Sequence, residues 1–255
     1  MGQLTKNQEA LIKALYTRHG RKKYDLCICE GVRCCADFLA ASPGLLELLV
    51  CTEDFPRDFD SYNPVRIPES QFSKLSATIA SQGILAVAKK PEPVPESKPP
   101  EDPFIFVLDR VGDPGNFGTI LRTVKAAGLK ELWYTAGSVD PFNDKVLRSA
   151  MAAQFTIGLR QFADLKTLKQ TLSSFGYTRF YRTDPHQGVN CFTAPDLFNK
   201  SVVIIGSEAE GAGELDGSVP VTIPMPGNSE SLNAAQAATI FLFEYVRRTF
   251  AKQAL

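Results

Sequence analysis

Residues 225–244 read MPGNSESLNAAQAATIFLFE. The stretch opens as a polar turn with proline and glycine and becomes, within one step, a run of small and apolar residues. Asn228, Ser229, Ser231 and Asn233 crowd the mouth of a helix predicted over Leu232–Arg248. A helix start explains one of them, because Ser231 or Asn233 can accept a hydrogen bond from the first N–H groups. Capping leaves the other polar residues without a task. Ala234, Ala235, Ala237 and Ala238 let neighbouring chain pack tightly against the helix.

Working upstream, residues 104–255 alternate strand and helix patterns. PFIFVLDRV (103–111) is a nearly continuous apolar run, as expected of a parallel strand buried on both faces. A helix follows from Asn116 to Ala127 and stops at Gly128. ELWYTA, TRFYRT, SVVIIGSE and VPVTIPM read as further strands, and DKVLRSAMAA and ADLKTLKQTLSSFG as helices. Three loops at the carboxyl ends of these strands are unusual: DRVGDPGNFGTILR (109–122), GSEAEGAG (206–213) and the stretch quoted first. Ligands of open α/β sheets bind at such ends. Arg122 lies six residues past Asn116, nearly two helical turns on, so both are expected to face one side. Taken singly, the first loop is also a plain turn with Asn116 as its cap, and the second a polar turn around Glu208.

Several chemistries are excluded by pattern. There is no G-x-x-x-x-G-K-[ST] phosphate loop, and neither glycine-rich loop has G-x-G-x-x-G spacing. H-E-x-x-H and G-x-S-x-G are absent, and with only His19 and His186 a histidine base is not expected.

The 255 residues carry no formal net charge and no apolar run long enough to span a membrane. KKPEPVPESKPPEDP (89–103) holds six prolines and reads as an extended linker. It separates residues 1–88, a small α/β module with strands at YDLCICEG, LLELLVCTE and GILAVAKK, from residues 104–255. The six cysteines form no C-x-x-C pair, so buried reduced thiols in a cytoplasmic protein are expected and a metal site is not. Arg18, Arg21, Lys22 and Lys23 make a short basic segment, read as a solvated loop or, on the other reading, a nucleic-acid contact.

Together the three loops resemble the SpoU/TrmH family of RNA 2′-O-methyltransferases, within the SPOUT superfamily. The family's N-x-G-x-x-x-R resembles Asn116–Arg122. Its G-s-E-x-x-G resembles Gly206-Ser207-Glu208-Ala209-Glu210-Gly211. Its I-P-M-x-G followed by S-L-N resembles Ile223–Gly227 and Ser231-Leu232-Asn233. One departure is Ala234-Ala235 where the family usually has Val-Ser. The resemblance implies a parallel sheet with a deep trefoil knot, a small N-terminal RNA-binding domain, S-adenosylmethionine as cofactor, and a homodimer through the C-terminal domain acting on structured RNA, rRNA or tRNA. It assigns Arg122, Asn116, Glu208, Ser231 and Asn233 to catalysis. Gly206, Ile223, Met225, Gly227 and Leu232 would hold the cofactor, and Arg18, Arg21, Lys22 and Lys23 would contact RNA. Apart from the resemblance, Lys145 and Arg148 are further basic residues suited to phosphates. A non-catalytic RNA-binding relative and a nucleotide-dependent oxidoreductase are the alternatives.

Overall fold

The computed structural model describes residues 3–227 and 229–253, with side chains as far as Phe250. Asn228, named above at the helix mouth, lies outside the described residues. The chain starts with α1 (Lys6–Leu15), which opens in a capping box: the Thr5 hydroxyl accepts from the Gln8 N–H and the Gln8 side chain accepts from the Thr5 N–H. The basic segment is not a loop but α2 (Arg18–Tyr24), started by Thr17, whose hydroxyl accepts from the Gly20 N–H. Next come β1 (Leu26–Glu30), α3 (Val32–Ala41), β2 (Leu46–Thr52), β3 (Val65–Ile67), α4 (Glu69–Phe72) and β4 (Ile84–Lys89). The four strands form one sheet in the order β1-β4-β2-β3, with β4 antiparallel to both neighbours.

The second series is β5 (Phe104–Asp109), α5 (Pro114–Ala126), β6 (Glu131–Thr135), α6 (Asp144–Ala150), β7 (Gly158–Phe162), α7 (Leu165–Ser174), β8 (Arg179–Thr183), β9 (Val189–Asn190), β10 (Ser201–Gly206), β11 (Val219–Thr222) and α8 (Ala234–Gln253). Its seven strands form a single sheet, β7-β6-β5-β10-β8-β11-β9, with every pairing parallel. β5 and β10 are buried along their whole length, which is why both read as unbroken apolar runs.

Packing divides the chain into two units, one of residues 1–92 with 140–156 and one of 93–139 with 157–255. The sequence reading kept 104–255 in one part. Residues 140–156 instead complete the core of the first unit, where Leu147, Ala152 and Phe155 join Cys29, Cys35 and Phe38, and the Phe38 and Phe155 rings lie 4.5 Å apart. The proline-rich segment is also not free beyond Glu92. The Pro95 carbonyl accepts from Arg160 at 2.8 Å, and Asp102 accepts from the Lys130 and Glu131 N–H groups. Arg160 in turn is buried against Glu131, which it meets through two hydrogen bonds of 2.8 and 2.9 Å, under the Trp133 ring.

Candidate active site

The strand register of the second unit fixes where the loops emerge. Gly206 pairs with Asp109 at the ends of β10 and β5, so the loops that follow leave side by side. The chain turns sharply at Arg110, which sits at φ 56° and donates its N–H to the Thr135 hydroxyl. Asp109 is buried, accepts from Thr135 at 2.7 Å, and accepts from the Gly213 N–H at 2.9 Å. Arg110 reaches Glu210 at 2.7 Å. Asp109 and Arg110 thus clamp the 207–213 loop to the strand ends. Sequence reasoning missed both, although an acid and a base at the end of an apolar strand are the visible signal.

A Cβ built at Gly206 would lie 1.8 Å from the Gly211 carbonyl carbon and 1.9 Å from the Ala212 nitrogen. The loop therefore folds back directly over position 206, and only glycine leaves it room.

The three loops are joined by side chains. Asp113 caps α5 by accepting from the Asn116 N–H at 2.7 Å, a task the sequence reading gave to Asn116 itself. Asn116 is thereby free to donate through Nδ2 to Glu208. Its Oδ1 accepts from Asn233 Nδ2 at 2.9 Å. Asn233 Oδ1 accepts from the Ala235 and Gln236 N–H groups and caps α8. Glu208, Asn116 and Asn233 thus form one chain across the mouths of two helices, and this gives the helix start its second task. Ser231 is exposed beside it.

Glu208 also lines a cavity of about 480 Å³, within the range of small-ligand sites. Gly206, Ile223, Met225, Leu232 and Ser231 line it, with Val221, Ala234 and Phe241 giving further apolar wall. Gly227 is not among the lining residues. A second wall, which the sequence reading did not single out, is formed by Thr183, Asp184, Pro185 and His186 at the end of β8.

Arg122 does not face the cavity. At about 100° per residue, six residues leave it roughly 120° around the helix from Asn116 rather than on the same side. It is exposed, and among the described residues its guanidinium has no hydrogen-bond or ion-pair partner. Of the residues read as RNA contacts, Arg18, Lys22 and Lys23 are exposed on α2. Arg21 is only 3% exposed, pairs with Asp140 at 2.7 Å and donates to the Leu15 and Tyr16 carbonyls, so it holds the first unit together and is not free to meet RNA. Arg148 is engaged by Glu30 at 3.5 Å and Asp144 at 3.0 Å.

Comparison with known proteins follows the same lines. Residues 103–243 match the SpoU rRNA Methylase family. The chain is 32% identical to the 23S rRNA (guanosine(2553)-2′-O)-methyltransferase RlmP of Bacillus subtilis, over 91% of this chain and 92% of that one. It is 30% identical to an uncharacterized tRNA/rRNA methyltransferase of Synechocystis, slr1673, over 97% and 94%. The crystal structure of an AdoMet-bound rRNA methyltransferase from Sinorhizobium meliloti superimposes with a TM-score of 0.80 at 25% identity, covering 97% of each chain.

Proposed function

The chain belongs to the SpoU rRNA Methylase family, and from that premise we propose that it transfers the methyl group of S-adenosylmethionine to a ribose 2′-OH of ribosomal RNA in the cytoplasm. The observation that carries the reading is the Glu208–Asn116–Asn233 chain, drawn from three separate loops, with Glu208 on the wall of a cavity that has both apolar and acidic lining. Isolated capping would not bring these three side chains to one another.

The cavity fits the cofactor in size and in lining. Ile223, Met225 and Leu232 supply apolar surface for an adenine, and the close approach at Gly206 brings backbone groups to the cavity wall. When bound, S-adenosylmethionine supplies an electrophilic methyl group on a positively charged sulfur. The residues of this chain then orient the acceptor. Asn116 and Asn233 fix the floor on which the nucleotide lies, and Ser231 offers a hydroxyl at its edge. Such positioning supplies several kcal/mol of the barrier. A guanidinium is too weak an acid to serve as a base, so Arg122 serves as a phosphate grip and an electrostatic aid to loss of the hydroxyl proton. The exposed Arg18, Lys22 and Lys23 on α2 suit phosphate contacts in the first unit. The threading of the last helix into a trefoil knot belongs to the same reading.

Arg122 lies away from its own cavity, which supports a homodimer in which it serves the partner's site. Phe243 and Phe250, 47% and 66% exposed on α8, support an apolar dimer face. Two experiments test this. Purified protein should place 2′-O-methyl groups on ribosomal RNA from a deletion strain, mapped by nuclease-resistant dinucleotides, and the Arg122→Ala variant should bind cofactor but not methylate. Co-expression of Arg122→Ala with Gly206→Val should restore roughly a quarter of wild-type activity, since half the chains fall in mixed dimers with one live site of two. No recovery would refute the shared site.

A further inference from the structure

The cavity is lined by carboxylates. Asp184, Glu208, Glu210 and Glu230 border it, and among the described residues that line it there is no lysine or arginine. Glu208 is engaged by Asn116, Glu210 is paired with Arg110, and Glu230 is exposed. Asp184 differs from these. It is half-buried and leaves β8 beside β10, so it stands on the wall next to Gly206. Its Oδ1 accepts from the His186 and Gln187 N–H groups at 2.9 and 3.1 Å, and its Oδ2 from the Gln187 side chain at 3.2 Å. Arg182, two residues before it, is turned away to Glu214 at 3.1 Å and the Ala212 carbonyl. No described cation pairs with Asp184. The turn that carries it is anchored, because a Cβ at Gly188 would lie 2.3 Å from the Pro220 carbonyl oxygen. Burial works against the ionised carboxyl, but the N–H donors of His186 and Gln187, with a smaller contribution from the nearby Arg182 charge, outweigh it and hold its pKa below the usual aspartate range. The result is a fixed negative charge on a cavity wall.

We propose that Asp184 is the charge-selecting residue of this cavity, favouring the cationic cofactor over the uncharged product, and this rests on the reading of the cavity as the S-adenosylmethionine site. Methyl transfer breaks the methyl carbon–sulfur bond, leaves its electron pair on sulfur and forms a carbon–oxygen bond to the ribose 2′-oxygen, whose proton passes to solvent, so the sulfonium becomes a neutral thioether. A carboxylate on the cavity wall attracts a sulfonium bound in that cavity. Its attraction disappears on turnover and release of S-adenosylhomocysteine is favoured.

The test is binding calorimetry on the full chain with S-adenosylmethionine, S-adenosylhomocysteine and sinefungin, whose amine restores a positive centre one bond from the sulfonium position, where the transferred methyl stands. In Asp184→Asn the preference for the two cationic ligands over S-adenosylhomocysteine should fall by roughly tenfold, with affinity for S-adenosylhomocysteine changed by less than about twofold. Asp184→Ser keeps a turn-capping oxygen without the charge and should behave alike, which covers the case in which the asparagine variant folds poorly. Asp184→Glu should recover most of the preference. Equal weakening of all three ligands, or an unchanged preference, would overturn the proposal. If wild-type protein binds none of the three, it is the cofactor reading that fails.

Discussion

Replacing Gly206 by alanine adds one methyl group at the point where the 207–213 loop folds back over β10. The new Cβ would lie 1.8 Å from the Gly211 carbonyl carbon, whereas non-bonded carbons need about 3.5 Å. The difference, 3.5 − 1.8, requires the loop to retreat by about 1.7 Å. Backbone, not a flexible side-chain end, must give way. That retreat works against the Asp109–Gly213 and Arg110–Glu210 contacts and displaces Glu208 from Asn116. Overpacking of this kind costs about 1–3 kcal/mol of stability. A displacement of about 1 Å at a reacting centre costs on the order of a hundredfold in rate. Gly206→Ala should therefore stay folded, melt a few degrees lower, and lose at least about a hundredfold in methyl transfer, with cofactor affinity reduced alongside. Gly112→Ala is the control, since a Cβ there meets nothing within 4 Å and its backbone is not left-handed. Tritium transfer from labelled S-adenosylmethionine to ribosomal RNA, read beside calorimetric affinity, measures both effects. Wild-type rate and affinity in Gly206→Ala would refute the close-approach argument.

Other expectations come from the two cores. Arg160→Ala strands the buried Glu131 carboxylate and should lower stability in urea by about 3–5 kcal/mol, while Arg160→Met in an Glu131→Leu background should recover much of it. A fragment of residues 1–92 lacks Leu147, Ala152 and Phe155 and should bind a hydrophobic dye and melt broadly; a peptide of residues 140–156 supplied in trans should sharpen the transition, and no change would count against the packing described. Glu244 is held below the usual glutamate range chiefly by hydrogen bonding to Arg247, against burial, with Arg248 adding to it. Its contribution is thus present above the unfolded value of 4.5 and lost as pH falls through the folded value, so the stability gap between wild type and Glu244→Gln should close in acid melts and stay constant near neutrality.

Much of the second unit was legible in the sequence because its central strands are buried on both faces and its ligand loops are punctuated by glycine, proline and asparagine. β7 was not: Gly158–Phe162 carries Arg160 and Gln161, and partners distant in sequence, Glu131 and the Pro95 carbonyl, make that arginine tolerable inside. β9 has two residues and no periodicity to read. The basic run 18–23 looked like a loop because no apolar stripe marks it. Its helix rests on Thr17 as cap and on Arg21 reaching Asp140, a partner 119 positions away. At the site, the motif residues could be named, but not their joining, since the Asn116–Asn233 bond spans 117 positions. The face of Arg122 was misjudged through helical phase alone.

The excursion of residues 140–156 also sets an order of events at the ribosome. Domains generally complete themselves as they emerge, N-terminal first. Here the first 92 residues leave the exit tunnel without Leu147, Ala152 and Phe155. Those follow only as residue 156 is made, 156 − 92 = 64 residues later, a delay of about 3–13 s at roughly 5–20 residues per second. Through that interval Phe38 and its neighbouring thiols stay uncovered on the nascent chain. The stretch of messenger that encodes residues 93–156 thus becomes a timing element, where slow translation lengthens the exposure and rapid translation shortens it.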